Sequence, residues 1–559
     1  MHILKSLNDN AFWQKVRACD EYEYYRKEAI KLWNKHCENK EIGALKYSDF
    51  KMFFTSGNRS VYEATYFTRR LALDSSAILS LIYPDDEKYF DRLQDTIYAI
   101  CDEYTWCLPA HQGQIEKNDN CKVDLFAAET AFALAEIYAI LEDRLDPLIK
   151  SRIFAEVERR VFTSYQNQRP YSHWETCTNN WNAVCTGSIA GAYMLLAPDR
   201  ARALIPRFEE AMCIYLSGFL DDGVCTEGCG YWKYGFGFYT VYSDMIKVFT
   251  DGEIDHFAED KVKIIATYLQ KMYLSGGEGV SFADASGTLA YQLGLQHYLK
   301  SVYPDDVLVY PAEYSYIHDH CGRFCLGLRS ALWFNKEFYE HPDPVGTETT
   351  YYAGESQWFI RKTSSYGFAA KGGHNREHHN HNDVGSFIFA KDGVHILTDP
   401  GSGTYSRQYF DPATRYDFLE TSSFGHSLPI IGEAGQKFGV EYASRGTGVV
   451  DGGFVTDISA AYGIEELTAL VRRFSFEDDS VTLTDRFEYC GEEVVTERFV
   501  TLIKPEVDGD KVVLSGVTLT PSVSITPTIT ETTVKGTKPF YLIDFELPGG
   551  TREFSLKIK

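Results

Sequence analysis

The period of the hydrophobic residues changes once along the chain, and that change limits the fold more than any single motif. Up to about residue 310 the apolar residues recur in steps of three and four. Within 126–141, for example, Ala127, Ala131, Leu134, Tyr138 and Leu141 share one helical face. The stretches 86–104, 181–196 and 260–273 step the same way. Short links such as Pro84-Asp85-Asp86 and Pro198-Asp199 join them. No strand-like alternation and no fixed repeat length is visible in this half, which predicts stacked antiparallel helix pairs rather than a strict solenoid. From about 320 the period becomes two, over 330–334, 356–361, 471–476, 480–488, 499–503, 512–514, 540–545 and 554–558. Turns such as Glu477-Asp478-Asp479 and Asp508-Gly509-Asp510 separate these runs. The expected architecture is an α+β multidomain chain, with a helical domain over 1–315 and an antiparallel β-sandwich domain over 316–559. A small β subdomain is expected from about 490. At 559 residues the chain is long enough for two or three cores.

Near the start of the β half, chemistry concentrates. Five of the 15 histidines fall between His374 and His395, and His426 follows. The centre is His379-Asn380-His381-Asn382-Asp383, where residues two apart would share a face if the segment is extended. An apolar run, a Lys391-Asp392-Gly393 turn and a second run over 394–397 read as a hairpin, with Asp399 just beyond it. Imidazoles and carboxylates so arranged suit a divalent metal, zinc before manganese or calcium.

Charge and composition exclude several classes. A net charge of −24 argues against nucleic acid and anionic membranes as partners, and no stretch approaches a membrane span. Aromatics at 15%, with 38 Tyr and 36 Phe, suit either large cores or ring faces for stacking on sugars. The opening MHILKSLNDNAFWQKVRACDEY carries no signal-peptide core, and the 13 cysteines are odd in number with no CxxC pair. A cytoplasmic protein with reduced thiols is expected; a chain trimmed of a signal would instead be secreted or periplasmic.

Three helical stretches look unlike core. His173-Trp174-Glu175-Thr176-Cys177-Thr178-Asn179-Asn180-Trp181-Asn182 sets three amides beside two tryptophans, although a helix cap explains part of it. Between Asp221 and Gly235, Gly-rich backbone accompanies Glu227, Tyr231, Lys233 and Tyr234, a pattern for a cleft wall. Trp106 to His111, ahead of Asp124 and Glu129, is a weaker candidate.

Taken in order, Trp106, Pro109, His111, Asn179-Asn180-Trp181, Asp222-Gly223, Glu227-Gly228, Tyr231, His379-x-His381-x-Asp383-x-Gly385-Ser386-Phe387, Asp399, Arg415 and His426 resemble the heparinase II/III-type polysaccharide lyases. The resemblance implies an (α/α) toroid, an incomplete barrel of helix pairs, followed by an antiparallel β-sandwich. It implies a carbon–oxygen lyase that cleaves uronic-acid polysaccharides or oligosaccharides by β-elimination: glycosaminoglycans such as heparan sulfate, hyaluronan or chondroitin sulfate, or alginate. By position, Asn180 matches the amide that binds the uronate carboxylate, and Tyr231 and His379 match the catalytic tyrosine and histidine. His381, Asp399 and His426 match the ligands of a mainly structural metal. Trp106, His111, His173, Glu175, Asn179, Glu227, Tyr234 and Arg415 are the expected substrate contacts. Two departures stand out: His173 or Glu175 is positioned to share the role of Asn180, and Trp232 follows the tyrosine where relatives often carry histidine. Other classes remain open: a glycoside hydrolase using carboxylates among Asp124, Glu129, Asp222 and Glu227, a metal-dependent hydrolase, or a sugar-binding protein. The oligomeric state is not legible.

Overall fold

The structure, a computed structural model, describes residues 10–115, 119–344 and 347–559; the first nine residues, on which part of the N-terminal reading rests, lie outside them. The chain forms two compact units, each assembled from separated segments. One comprises Met1–Phe219, Lys233–Lys263 and Tyr291–Asp343; the other comprises Leu220–Trp232, Ile264–Ala290 and Pro344–Lys559.

The first unit is helical. Its inner helices are apolar all round rather than striped, which is the pattern of helices covered on every side. In Leu125–Leu141 every residue but Glu129 and Tyr138 is buried, and in Asn180–Leu196 every residue but Trp181 and Leu196. The two helices pack closely because position 191 is glycine: a Cβ there would lie 2.4 Å from the Phe132 ring. Each starts on a polar cap. Asp124 accepts from the Ala127 amide at 2.8 Å, and Asn179 from the Trp181 amide at 3.2 Å. Buried charges are paired, as in Arg70 with Glu103 and Arg329 with Glu136.

The second unit is built on antiparallel sheets. A five-stranded sheet runs in the order Val394–Leu397, Phe387–Lys391, Gly367–Lys371, Trp358–Lys362, Thr349–Ala353. Four- and eight-stranded sheets share one core with it, in which Phe359, Phe368, Phe387, Phe474 and Phe499 are fully buried. The expected hairpin is present, with Val394 opposite Lys391 across Asp392 and Gly393, both at positive φ. Segments from the middle of the chain are tied into this unit. Asp222 accepts from the Ser356 amide and hydroxyl at 2.7 and 3.0 Å, and Ser281 donates to the Asp399 carbonyl at 3.3 Å.

Three expectations need correction. Residues 330–334 are not a strand; 330–332 end helix Phe324–Leu332 and the next two residues follow it, and a five-residue window is too short to tell the two periods apart. The stretch 260–273 breaks into Asp260–Ala266 and Tyr268–Lys271 and ends at strand Tyr273–Ser275, one of several short strands before residue 310. Residues 379–383 are not extended, since His379 sits in a turn with φ +55°. Among the described residues no helix is long and apolar enough to cross a membrane.

Candidate active site

The second unit gathers most of the polar residues singled out above, around a carboxylate that sequence reasoning missed. Asp284, on the loop after strand Glu278–Gly279, is fully enclosed and receives four donors. His379 Nδ1 at 2.6 Å and Arg415 Nη2 at 3.3 Å approach Oδ2. His381 Nε2 at 3.1 Å and the Tyr409 hydroxyl at 2.5 Å approach Oδ1. Burial alone would raise the pKa of this carboxyl, but the bonds from His379 and then His381 hold it well below the usual carboxylate range. The loop is fixed by contact with the Gly-Ser-Gly turn: Ser402 donates to the Ala285 carbonyl at 3.3 Å. Arg415 is a clamp within this framework, donating also to the carbonyls of Asn380 and Tyr409.

Beyond His381 lies a second cluster. His381, Asp383, Asp399 and His426, all buried, each offer one ligand atom, and the four atoms lie within 4.8 Å of one another. His426 gives its Nδ1 proton to the Ser422 carbonyl at 2.8 Å, so Nε2 faces inward, 3.3 Å from both His381 Nδ1 and Asp399 Oδ2. Asp383 Oδ1 takes a bond from buried Lys371 at 2.8 Å, and Asp399 Oδ1 takes one from the Gly401 amide at 2.8 Å. Their second oxygens have no hydrogen-bond partner among the described residues. Two imidazoles and two carboxylates brought together in this way make a group able to hold a divalent cation. Asp383 joins the three ligands expected from sequence.

Tyr231 stacks its ring on His379, centroids 4.0 Å apart and planes at 23°. Its hydroxyl pairs with that of Tyr405 at 2.7 Å. Burial, then Tyr405 and Asp284, keep the Tyr231 phenol well above its ordinary pKa, so it rests protonated. On its other side His379 presents Nε2 to Glu227, 3.8 Å away. The left-handed backbone of His379 is a strained conformation for a non-glycine residue, costing on the order of 1–3 kcal/mol, and such strain is found where a side chain must be aimed.

The remaining candidates lie in the first unit, and their roles divide. Trp106 is 1% exposed, with Nε1 on the Ile100 carbonyl at 2.9 Å, and Glu175 forms a two-bond pair with Arg207; both hold the fold. Asn179 caps its helix, and Asn182 donates to the Glu175 and Cys177 carbonyls. Asn180 alone of the three amides carries no side-chain hydrogen bond among the described residues, and its Oδ1 is buried without a partner. Gly235 lets the backbone of the following helix come against it, since a Cβ there would lie 3.1 Å from Asn180 Cα. His111 donates from Nδ1 to the Asp124 carboxylate at 2.6 Å, and both His111 and His173 pack on Trp181. Tyr234 bonds Glu129 beneath the Arg323 guanidinium, which lies 3.8 Å from its ring centre. That engagement separates Tyr234 from Tyr231, three residues away in sequence.

Asp284, Tyr405 and Tyr409 gave no signal in the sequence, being lone residues in Ala-, Ser- and Gly-rich segments.

No protein-family profile matches the chain, and no curated protein matches it. Solved structures do. The chain is similar to heparinase III at 13% identity and a TM-score of 0.61, over 99% of this chain and 91% of that one. It is similar to a mutant heparan sulfate lyase from Pedobacter heparinus (12%, TM-score 0.58, 100% and 87%) and to the chondroitin AC lyase of Streptomyces coelicolor A3 in complex with chondroitin sulphate (11%, TM-score 0.55, 99% and 82%). The class that this likeness defines is a fold class, a helical toroid followed by antiparallel β-sheets; the hydrophobic periods predicted helices followed by sheets, and the family resemblance implied the toroid. Within it the chain has the fold of the heparinase III-type and chondroitin AC lyases.

Proposed function

We propose that the protein is a polysaccharide lyase that cleaves uronic-acid polymers by β-elimination, leaving a 4,5-unsaturated uronyl end. The observation that carries this reading is the stacked pair of Tyr231 and His379, one phenol held protonated and one imidazole with a nitrogen directed away from its carboxylate anchor. The C5 proton of a uronate is α to a carboxylate, and its removal builds negative charge there. That charge calls for a hydrogen-bond donor, the role that the family resemblance gives to the Asn180 amide. In this reading His379 Nε2 takes the C5 proton and Tyr231 protonates the departing O4. His111, His173 and Glu227 remain as proposed sugar contacts, whereas Tyr234 is held by Glu129.

The cation, zinc by its donor set, would be held by His381, Asp383, Asp399 and His426. Bound, it supplies cross-linking of the 381–426 loops; burial of all four ligands favours that role over activation of water. The paired-carboxylate alternative loses support, because Asp124 is a helix cap, Glu129 is bound to Tyr234 and Arg323, and Asp222 anchors Ser356. Glycosaminoglycans are the first substrates to test, given what the similar structures act on by name, with alginate next. A panel of hyaluronan, chondroitin sulfate, heparan sulfate and alginate, read by ultraviolet absorbance of the new double bond, is the test. Chain cleavage with incorporation of labelled water oxygen and no absorbance would establish a hydrolase instead.

A further inference from the structure

We infer that Asp284 is a positioning residue that sets the proton positions of both histidines at once, committing His379 to proton abstraction and His381 to holding the metal. This rests on the lyase reading for the role of His379; the assignment of proton positions rests on geometry alone.

A carboxylate accepts hydrogen bonds and donates none, and it offers about four lone-pair directions. At Asp284 all four are taken: His381 Nε2 and the Tyr409 hydroxyl on Oδ1, His379 Nδ1 and Arg415 Nη2 on Oδ2. With the Arg415 guanidinium beside it and three further groups able to donate to it, the carboxyl rests ionised and has no proton of its own to lend. Each ring nitrogen facing it therefore carries the hydrogen. For His379 that is Nδ1, so Nε2 is left bare on the far side of the ring, the side of Glu227. For His381 it is Nε2, so Nδ1 is left bare, 3.3 Å from the bare Nε2 of His426. The two rings receive opposite tautomers from one acceptor, because they present opposite nitrogens to it. Which nitrogen of an imidazole is bare decides whether it acts as a base or ligand in a given direction. A hydrogen bond from a ligating histidine to a carboxylate also fixes ring orientation. Burial makes the arrangement hard to evade, since Asp284 and His381 have no exposed side-chain surface and no water can substitute as acceptor.

Asp284→Asn is the test. The amide has one acceptor and one donor end, so it can satisfy only one of the two rings and drives the other to the wrong tautomer. The expected result is a fall in kcat on the order of 10⁴-fold with KM changed only a few-fold, as when an orienting carboxylate beside a catalytic imidazole becomes an amide, together with reduced zinc content by elemental analysis. Nitrogen chemical shifts of 15N-histidine-labelled protein, assigned with His379→Ala, give a readout independent of turnover. In the wild type they should show His379 protonated at Nδ1, and in Asp284→Asn the His379 or the His381 tautomer should change. Wild-type protein with His379 protonated at Nε2 overturns the inference even if the variant fails to fold. So does an Asp284→Asn enzyme with kcat within about three-fold of wild type and unchanged tautomers. If no uronate polymer is cleaved by the wild type, the lyase reading fails, while the tautomer measurement still decides this one.

Discussion

Tyr231 and Tyr234 are three residues apart on one helix and carry the same phenol, yet their surroundings assign them different work. Tyr231 lies on the His379 ring and shares a proton with Tyr405, whereas Tyr234 closes a bond to Glu129 under Arg323. Tyr231→Phe should therefore lose about 10²- to 10⁴-fold in kcat while its melting temperature stays near wild type. Tyr234→Phe should instead lose on the order of 1–3 kcal/mol of stability, because a buried Glu129 oxygen is left short of a donor. Steady-state kinetics and thermal melts on both variants separate the roles. An active Tyr231→Phe beside a stable, inactive Tyr234→Phe would exchange the assignments.

At the scale of elements, the loop carrying Asp284 depends on a glycine elsewhere. Gly401 has φ +64°, and a Cβ on it would fall 2.1 Å from the Ala285 carbonyl oxygen, a backbone atom with no freedom to rotate away. Gly401→Ala should cost about 1–3 kcal/mol from overpacking and lower kcat with it, since the displaced neighbour is the residue after Asp284. A chemical-denaturation midpoint equal to wild type, with full turnover, would mean that this contact yields without consequence. The same element shows where the sequence was readable. The Lys391-Asp392-Gly393 hairpin followed from turn chemistry and alternation, both local signals. The His381, Asp399 and His426 grouping followed from the order of motifs shared with a lyase family, and Asp383 was not part of it. Asp284 could not be found that way, because its importance comes from four partners between 95 and 131 residues distant.

For the whole molecule, the period switch correctly separated helical from sheet architecture. It did not reveal that 220–232 and 264–290, embedded in the helical half, group with the sheets, because attachment there runs through single contacts such as Asp222 to Ser356 rather than through any period. It also misread 330–334, a window too short to separate a helical period from a strand's. Ionisable groups enclosed in the helical unit make stability depend on pH. Burial, only partly offset by Arg323, pushes Glu129 up to about 7. A carboxyl whose folded pKa is raised binds its proton more tightly when folded. Its stabilisation is complete below about pH 4.5 and disappears as pH rises through 7. His297 runs the opposite way. Burial lowers it to about 4, and its Nδ1 accepts from the Asn335 amide at 3.0 Å, so stability is present above about pH 6.5 and lost as pH falls through 4. Relative to wild type, Glu129→Gln should therefore gain melting temperature as pH rises from about 4.5 to 7. A difference that shrinks over that range would contradict the assignment.

The four donors around Asp284 also bear on how such a protein can change over descent. Replacing the carboxylate strands two histidines, a tyrosine and an arginine together, and replacing any one donor leaves a buried charge short of a partner. Single-step routes away from this arrangement therefore pass through impaired intermediates, and drift at these positions should be locked. Among homologues, positions 284, 379, 381, 409 and 415 are expected to be retained as a block or exchanged as a block.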